Sequence, residues 1–320
     1  MSNTQNLVPP YPLSTAVLFL IFNRLDTTKQ VFEAIRQAKP PRLYVAADGP
    51  RESKVGEAEG VQAVRDYVID NIDWDCEVKT LFREKNLGCK YAVSGAITWF
   101  FDQEEQGIIL EDDCLPSQSF FWFCEDLLVR YKGDTRIGQI CGFNPLSRFC
   151  FNGKSYGFSK FGPIWGWASW RRVWSSYDVD LKSWSDVRNK NYVDFFTESN
   201  REKKWRIELF DRMYNKEIDT WDYQWSYAKL IEAQLSVIPH KNMIKNIGFG
   251  DEATHTTGKI PENFLVNFEI KKILHEKYIL RNKIFDDLYL RKFVKISRFS
   301  RLENNSRKII KAIINKIFVS

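Results

Sequence analysis

Three consecutive acids, Glu111-Asp112-Asp113, close the apolar run Ile108-Ile109-Leu110. Acids gathered at the end of an apolar strand are costly, because two carboxylates ~4 Å apart repel by ~4 kcal/mol at an effective dielectric of 20. Either one of them takes up a proton or a cation neutralises them. Hard oxygen ligands in small number suit Mg²⁺ or Mn²⁺ held jointly with substrate phosphates. A solvated acidic turn that caps the following helix is the other reading, since the helix dipole favours acids there. Both stand at this point.

The second group with chemical potential is aromatic. Eight of the eleven tryptophans lie between residues 165 and 225. Trp167, Trp170 and Trp174 recur at i, i+3 and i+7, one face of a helix, and are expected in the core. Trp165 stands in the loop Gly162-Pro163-Ile164-Trp165-Gly166 and is a better site candidate, because aromatic faces suit the C–H faces of sugar rings. Trp221 and Trp225 flank Asp222. They are candidates for the same contact and could raise the acid's pKa by excluding water, which suits a base. Of the three histidines, His255 lies in a glycine-spaced loop, 246–256, that could fold over a ligand. His240 and His275 read as structural or surface residues.

These groups need elements to hold them. From residue 16 to 142 the chain alternates between strand-like and helix-like stretches. Ala16–Phe22, Leu43–Ala47, Glu77–Leu81, Gly107–Leu110 and Ile137–Cys141 read as strands. Between them, helices are expected from Asp26 (a candidate cap) to Ala38, over 53–70, over Gly88–Phe101 and over Ser117–Tyr131. Such alternation predicts a mainly parallel sheet with helices on both faces and a ligand site beyond the carboxyl ends of its strands. The residues at those ends are Asn23-Arg24, Asp48-Gly49, Lys85-Asn86-Gly88 and the acid triplet. Gly88 opens a helix whose backbone N–H groups could approach a phosphate, with Lys90 to neutralise one charge more; a structural role for both residues is the alternative.

The order of these motifs resembles the nucleotide-sugar glycosyltransferases of GT-A fold, most closely the N-acetylglucosaminyltransferase I type and its bacterial relatives. The shared series runs from Asn23-Arg24 through Ala47-Asp48-Gly49, the Gly88–Phe101 helix, Ile108–Asp113, Phe120-Phe121 and Gly162–Trp167 to Trp221-Asp222 with Trp225. It covers roughly residues 14 to 258. The resemblance implies that Asp113 binds a divalent metal directly, with Glu111 and Asp112 near the ribose and the metal waters. It places Arg24 beside the nucleotide, has Asp48 read the base, and brings a late histidine, here His255, to the metal or pyrophosphate. Asp222 matches the general base of the inverting members. The family's Trp-Asp-Asp-Trp is replaced here by Trp221-Asp222-Tyr223-Gln224-Trp225, so Asp219 is the alternative base. The chemistry requires the same roles: a cation stabilises the departing diphosphate, and a carboxylate takes the proton of the attacking hydroxyl.

The chain has 320 residues, with 44% hydrophobic and 28% charged content, which excludes disorder as the main state. No apolar run approaches the ~18 residues of a membrane span, and the leader before Ala16 lacks the basic region of a signal peptide. Six cysteines form no CxxC pair and read as reduced thiols of a cytosolic protein. The net charge of +6 is a composite. Residues 271–320 hold fourteen Lys/Arg against four Asp/Glu, whereas the other 270 residues carry 33 against 37. With the resemblance, the expected organisation is a GT-A, Rossmann-like catalytic domain over 1–260, with a nucleotide-sugar half (14–145) and an acceptor half of helices and loops (146–260). A basic helical tail follows over 261–320.

In that tail Ile309, Ile310, Ile313, Ile314 and Ile317 share one helical side with lysines beside them, which suits an anionic membrane surface or packing on the body. Nucleic acid fits poorly, because few aromatics interleave the basic residues. The expected partners are a nucleotide-sugar donor, a UDP-sugar by the resemblance, and a carbohydrate or glycolipid acceptor in bacterial surface polysaccharide or lipopolysaccharide synthesis. Two rivals remain. A sugar nucleotidyltransferase would carry a glycine-rich basic loop after strand one, where this chain has Asn23-Arg24-Leu25-Asp26. A carbohydrate-binding protein using the tryptophans alone would have no need of the acid triplet.

Overall fold

The computed structural model describes residues 10–146, 149, 151–248 and 266–294. In chain order the elements of the first half are β1 (Val17–Ile21), α1 (Leu25–Ala38), β2 (Arg42–Ala47), α2 (Glu57–Asp70), β3 (Glu77–Phe82), α3 (Gly88–Gln103) and β4 (Gln106–Glu111). Then come β5 (Cys114–Pro116), α4 (Gln118–Arg130) and β6 (Ile137–Cys141). The second half adds β7 (Tyr156–Ser159), β8 (Trp167–Trp170), α5 (Arg171–Trp174), α6 (Trp184–Asn189), α7 (Asn200–Tyr214) and α8 (Asp222–Ile231). It closes with β9 (Leu235–Pro239), β10 (Ile244–Asn246) and α9 (Lys283–Phe293).

Eight strands form one sheet in the order β3-β2-β1-β4-β8-β6-β9-β7, and β5 pairs with β10 in a separate two-stranded sheet. β1 is buried along its whole length, as befits an apolar strand covered on both faces. β1 runs parallel to β2 and β4, and β2 parallel to β3. β8 is antiparallel to both β4 and β6; β9 is parallel to β6 and β7 antiparallel to β9. The mainly parallel α/β expectation holds. Strands from both sides of residue 145 share this sheet.

Register decides where the site must lie. Ile21 stands opposite Ala47, Ala47 opposite Phe82, and Leu20 opposite Glu111. The residues that follow β1, β2, β3 and β4 therefore leave the sheet at one edge. Asp26 does not cap α1: Arg24 holds the cap position, and its carbonyl accepts from Thr28 N at 3.0 Å and Thr28 Oγ1 at 2.7 Å.

The tryptophan spacing needs correction. Trp167 and Trp170 lie on strand β8, and only Trp174 belongs to a helix, the single turn α5. Their burial is as expected, but they face different partners. Trp170 Nε1 donates to the Leu128 carbonyl at 3.2 Å, while the Trp167 ring stacks on Trp221 at 5.8 Å between centroids. A second apolar cluster, including Trp184, Phe210, Met213, Tyr227 and Leu230, joins α6, α7 and α8.

Residues 266–294 lie along the body. The Glu269 carboxylate accepts from Gln118 N at 2.9 Å and Ser119 N at 2.7 Å, capping α4, which the Ser117 side chain does not. Arg281 binds Asp286 and Glu198. The isoleucine-bearing segment 305–319 and Cys150 lie outside the described residues, and the other five cysteines carry free thiols.

Lys229 of α8 is fully buried against neutral partners. Its ammonium donates to Gln139 Oε1 and, at 2.9 Å, to Ser236 Oγ, and stands 5.4 Å from the Trp225 ring centroid. Burial pushes its pKa down to about 8. The unfolded chain then binds more protons than the folded one between about pH 8 and the ordinary lysine value, so stability rises with pH across that window. Relative to Lys229→Met, the wild-type protein is expected to gain up to about 3 kcal/mol there, at about 1.4 kcal/mol per pH unit. Urea melts of both proteins at pH 7 to 10.5 measure it, and parallel stability curves would refute it.

Candidate functional site

The strand ends open into a cleft of about 1010 Å³ lined by residues from both halves of the chain. Arg24, Asp48, Arg83 and the acid triplet come from one side; Trp165, Asp219, Trp221 and Asp222 come from the other.

The triplet is short of positive charge. The Arg24 guanidinium binds Asp112 and, at 3.1 Å, Asp113 Oδ2. Burial works against its charge, but the two aspartates more than offset this and hold its pKa up. Among the described residues one cation thus faces three carboxylates. Burial, then Asp113, Asp112 and Asp222, push Glu111 up to about 8. Burial likewise raises Asp112, with Arg24 opposing. Glu111 Oε1 and Asp112 Oδ2 are buried without a hydrogen-bond partner among the described residues. Acceptor oxygens left in that condition cost free energy unless a donor or cation reaches them.

Such a donor set fits a small hard divalent ion. Among the described residues no group of three or more His, Cys, Asp or Glu side chains is arranged to hold one without help.

The β5–β10 pairing brings a second segment to Asp113. Asn246 stands opposite Cys114, and Ile247 N donates to the Asp113 carbonyl at 2.8 Å. A Cβ at Gly248 would lie 2.3 Å from Asp113 Oδ2, so a side chain there would collide with the carboxylate. His255 lies outside the described residues.

On the first-half side, Asp48 closes a loop. Its carboxylate accepts from Gly49 N and Leu87 N at 3.0 Å and from Gly88 N at 3.1 Å. Burial raises its pKa although these amides oppose the shift. The N–H groups expected to approach a phosphate are therefore engaged, because Asp219 takes the next two, Cys89 N at 3.2 Å and Lys90 N at 3.0 Å. The Lys90 ammonium pairs with Asp180 of the second half at 3.3 Å. Sequence reading missed the rim built by Arg51 and Glu57. Arg51 pairs with Glu57, and Asn23 Nδ2 donates to the same carboxylate at 3.0 Å. Nothing periodic marks such a pairing across a loop. Arg83, just beyond the third strand, was findable from its position.

Asp222 is the first residue of α8, and its Oδ1 accepts from Thr220 Oγ1 at 2.5 Å. Trp165 is half-buried, with its ring centroid 4.6 Å from that of Phe143. Trp221 is corrected: at 2% exposure, with its ring stacked on Trp167, it backs the cleft wall and has no face free for an acceptor. Trp225 is corrected: at 0% exposure it cannot touch an acceptor. It points inward from α8 between Trp167 and Trp174, and its Nε1 donates to Gln139 Oε1 at 3.1 Å.

No protein-family model matches the chain, and no curated protein is significantly similar to it in sequence. Among solved structures, the mannosyltransferase PcManGT from Pyrobaculum calidifontis, in complex with GDP-Man and Mn²⁺, aligns at TM-score 0.38 and 11% identity over 70% of this chain and 71% of that one. S. aureus TarS 1–349 aligns at TM-score 0.36 and 11% identity over 54% of this chain and 53% of that one. An apo UDP-glucose pyrophosphorylase aligns at TM-score 0.35 and 8% identity over 73% and 93%. At these scores the neighbours assign no activity to the chain.

Proposed function

We propose that the protein is a metal-dependent inverting glycosyltransferase, related to the N-acetylglucosaminyltransferase I type, that moves a sugar from a UDP-linked donor to a carbohydrate or glycolipid acceptor. One observation carries this reading: a single cleft holds an under-neutralised acid cluster and, on a segment of the other half, the separate carboxylate of Asp222. Asp113 would hold Mn²⁺ or Mg²⁺, with His255 as a further ligand. When bound, the ion neutralises charge on the departing diphosphate. Glu111 and Asp112 orient the donor and the ion's water, and Arg24 keeps the two aspartates in place. Asp48 holds the loop that would carry the base. Trp165 offers an apolar face to the acceptor sugar. Asp222 accepts the proton of the acceptor hydroxyl as its oxygen bonds to the anomeric carbon; the bond from that carbon to the phosphate oxygen breaks, and its electrons leave on UDP.

Calorimetry with nucleoside diphosphates, with and without Mn²⁺, tests this. Metal-enhanced UDP binding is expected. Binding of a nucleoside triphosphate with a sugar phosphate would favour the nucleotidyltransferase, and sugar binding without nucleotide a carbohydrate-binding module.

The acceptor chemistry goes with a position at the cytoplasmic membrane face, held by the basic tail in surface-polysaccharide synthesis. No helix among the described residues is long and apolar enough to cross a membrane. Within that tail Tyr278, Leu280, Ile284 and Leu288 are nevertheless exposed, and residues 295–320 add seven Lys/Arg against one acid. Each basic side chain near anionic lipid contributes about 1 kcal/mol. The full chain is expected to float with phosphatidylserine vesicles at low salt and a chain ending at Val294 is not; flotation of the shortened chain would reject the tail as anchor.

A further inference from the structure

Asp219 makes a contact that the proposed chemistry does not use. It stands exposed on the cleft rim, yet its two oxygens accept from the first-turn amides of α3, Lys90 N at 3.0 Å and Cys89 N at 3.2 Å. Those amides have no intrahelical partner, and Leu87 at the cap position of α3 supplies no side-chain acceptor. A residue 130 positions away in sequence thus caps the helix. Gly88 makes room for it: at φ +76° it lies in the left-handed region, and a Cβ there would come within 2.8 Å of Asp219 Oδ2.

The arc from Asp219 to Asp222 is braced along its length. Gln224 Nε2 donates to the Thr220 carbonyl at 2.8 Å, Tyr177 Oη donates to the Trp221 carbonyl at 3.2 Å, and Thr220 Oγ1 binds Asp222 at 2.5 Å. Two further bonds tie the same helix to the second half, Lys90 to Asp180 at 3.3 Å and Trp174 Nε1 to Thr98 Oγ1 at 3.0 Å. A displacement at Asp219 therefore passes to Asp222 with little slack.

We propose that Asp219 is a positioning residue: by binding the N-terminus of α3 it pins the second-half arc to the first half and sets where Asp222 stands over the cleft. The inference rests on the reading of Asp222 as base. A shift of about 1 Å in a reacting group can cost about 10²-fold in rate.

The test compares the full-length protein with Asp219→Asn and Asp219→Glu, using UDP release from a panel of UDP-hexoses with Mn²⁺, UDP affinity, and hydrogen exchange at Cys89, Lys90 and residues 220–222. Asp219→Asn is expected to lower kcat at least tenfold with UDP affinity within twofold, and to speed exchange at both ends of the contact. Asp219→Glu keeps the charge at the helix terminus on a longer arm; exchange at Cys89 and Lys90 should return toward wild type while kcat stays low. Asp219→Asn turnover within twofold of wild type, a rate loss matched by lost UDP affinity, or unchanged exchange would overturn the proposal. If wild type releases no UDP from any donor while Asp219→Asn still loosens 220–222, the clamp stands and the transferase reading fails.

Discussion

Asp222→Asn is expected to lower the transfer rate by about 10² to 10⁴-fold, the usual contribution of a positioned proton acceptor, with UDP affinity unchanged. The substitution isolates proton transfer because little else should move. Trp221, not Asp222, holds the cap position of α8, so the helix should lose little beyond one charge's favourable interaction with its N-terminus. The amide oxygen can still accept from Thr220 Oγ1, which holds Asp222 at 2.5 Å. What is lost is a group able to take a proton. The comparison with Asp219→Asn ranks the two acids. Asp219 is engaged by two backbone amides and acts on Asp222 from three residues away, so its removal should cost less than removal of Asp222 itself. Near-normal turnover in Asp222→Asn, measured as UDP release with acceptor present, would remove the base assignment. An Asp219 effect larger than that of Asp222 would reverse their roles.

The first half was legible because its strands announce themselves. β1, β2 and β4 are parallel strands with buried interiors, so they read as nearly unbroken apolar runs between turn residues. Their last residues point to the site, and Arg24, Asp48 and the acid triplet do line one cleft. The second half hid its strands. β7 is Tyr-Gly-Phe-Ser and β8 Trp-Ala-Ser-Trp, each four residues long and half made of small residues, too short for a clear period. The spacing of Trp167, Trp170 and Trp174 fits a helix face, but it also fits a strand running directly into one helical turn. Trp225 was misplaced for a related reason. Flanking an acid in sequence does not fix which way a helical side chain points, and α8 turns Trp225 into the core. Pairings such as Asp219 with α3, or Lys90 with Asp180, join residues far apart in the chain and leave no periodic trace.

Asp113→Asn should have two effects of opposite sign, and together they separate a metal site from an acidic turn. Without metal the substitution removes one of three crowded carboxylates while Arg24 keeps its partner Asp112, so repulsion on Glu111 falls. The metal-free protein should therefore melt at the same temperature as wild type or higher, as when a functional site is neutralised. With metal the order inverts. A ligand at 100 times its dissociation constant stabilises the folded state by about 2.7 kcal/mol. Wild type should gain that increment from Mn²⁺ with UDP, and Asp113→Asn should gain little of it. Enhancement of UDP binding by Mn²⁺ should fall at least tenfold in the variant, while metal-free binding stays near wild type. An acidic turn that only caps a helix predicts neither the dependence on Mn²⁺ nor the crossing of the two melting curves. Thermal melts of both proteins with EDTA and with Mn²⁺ plus UDP decide the matter, and equal Mn²⁺ responses would eliminate Asp113 as the metal ligand.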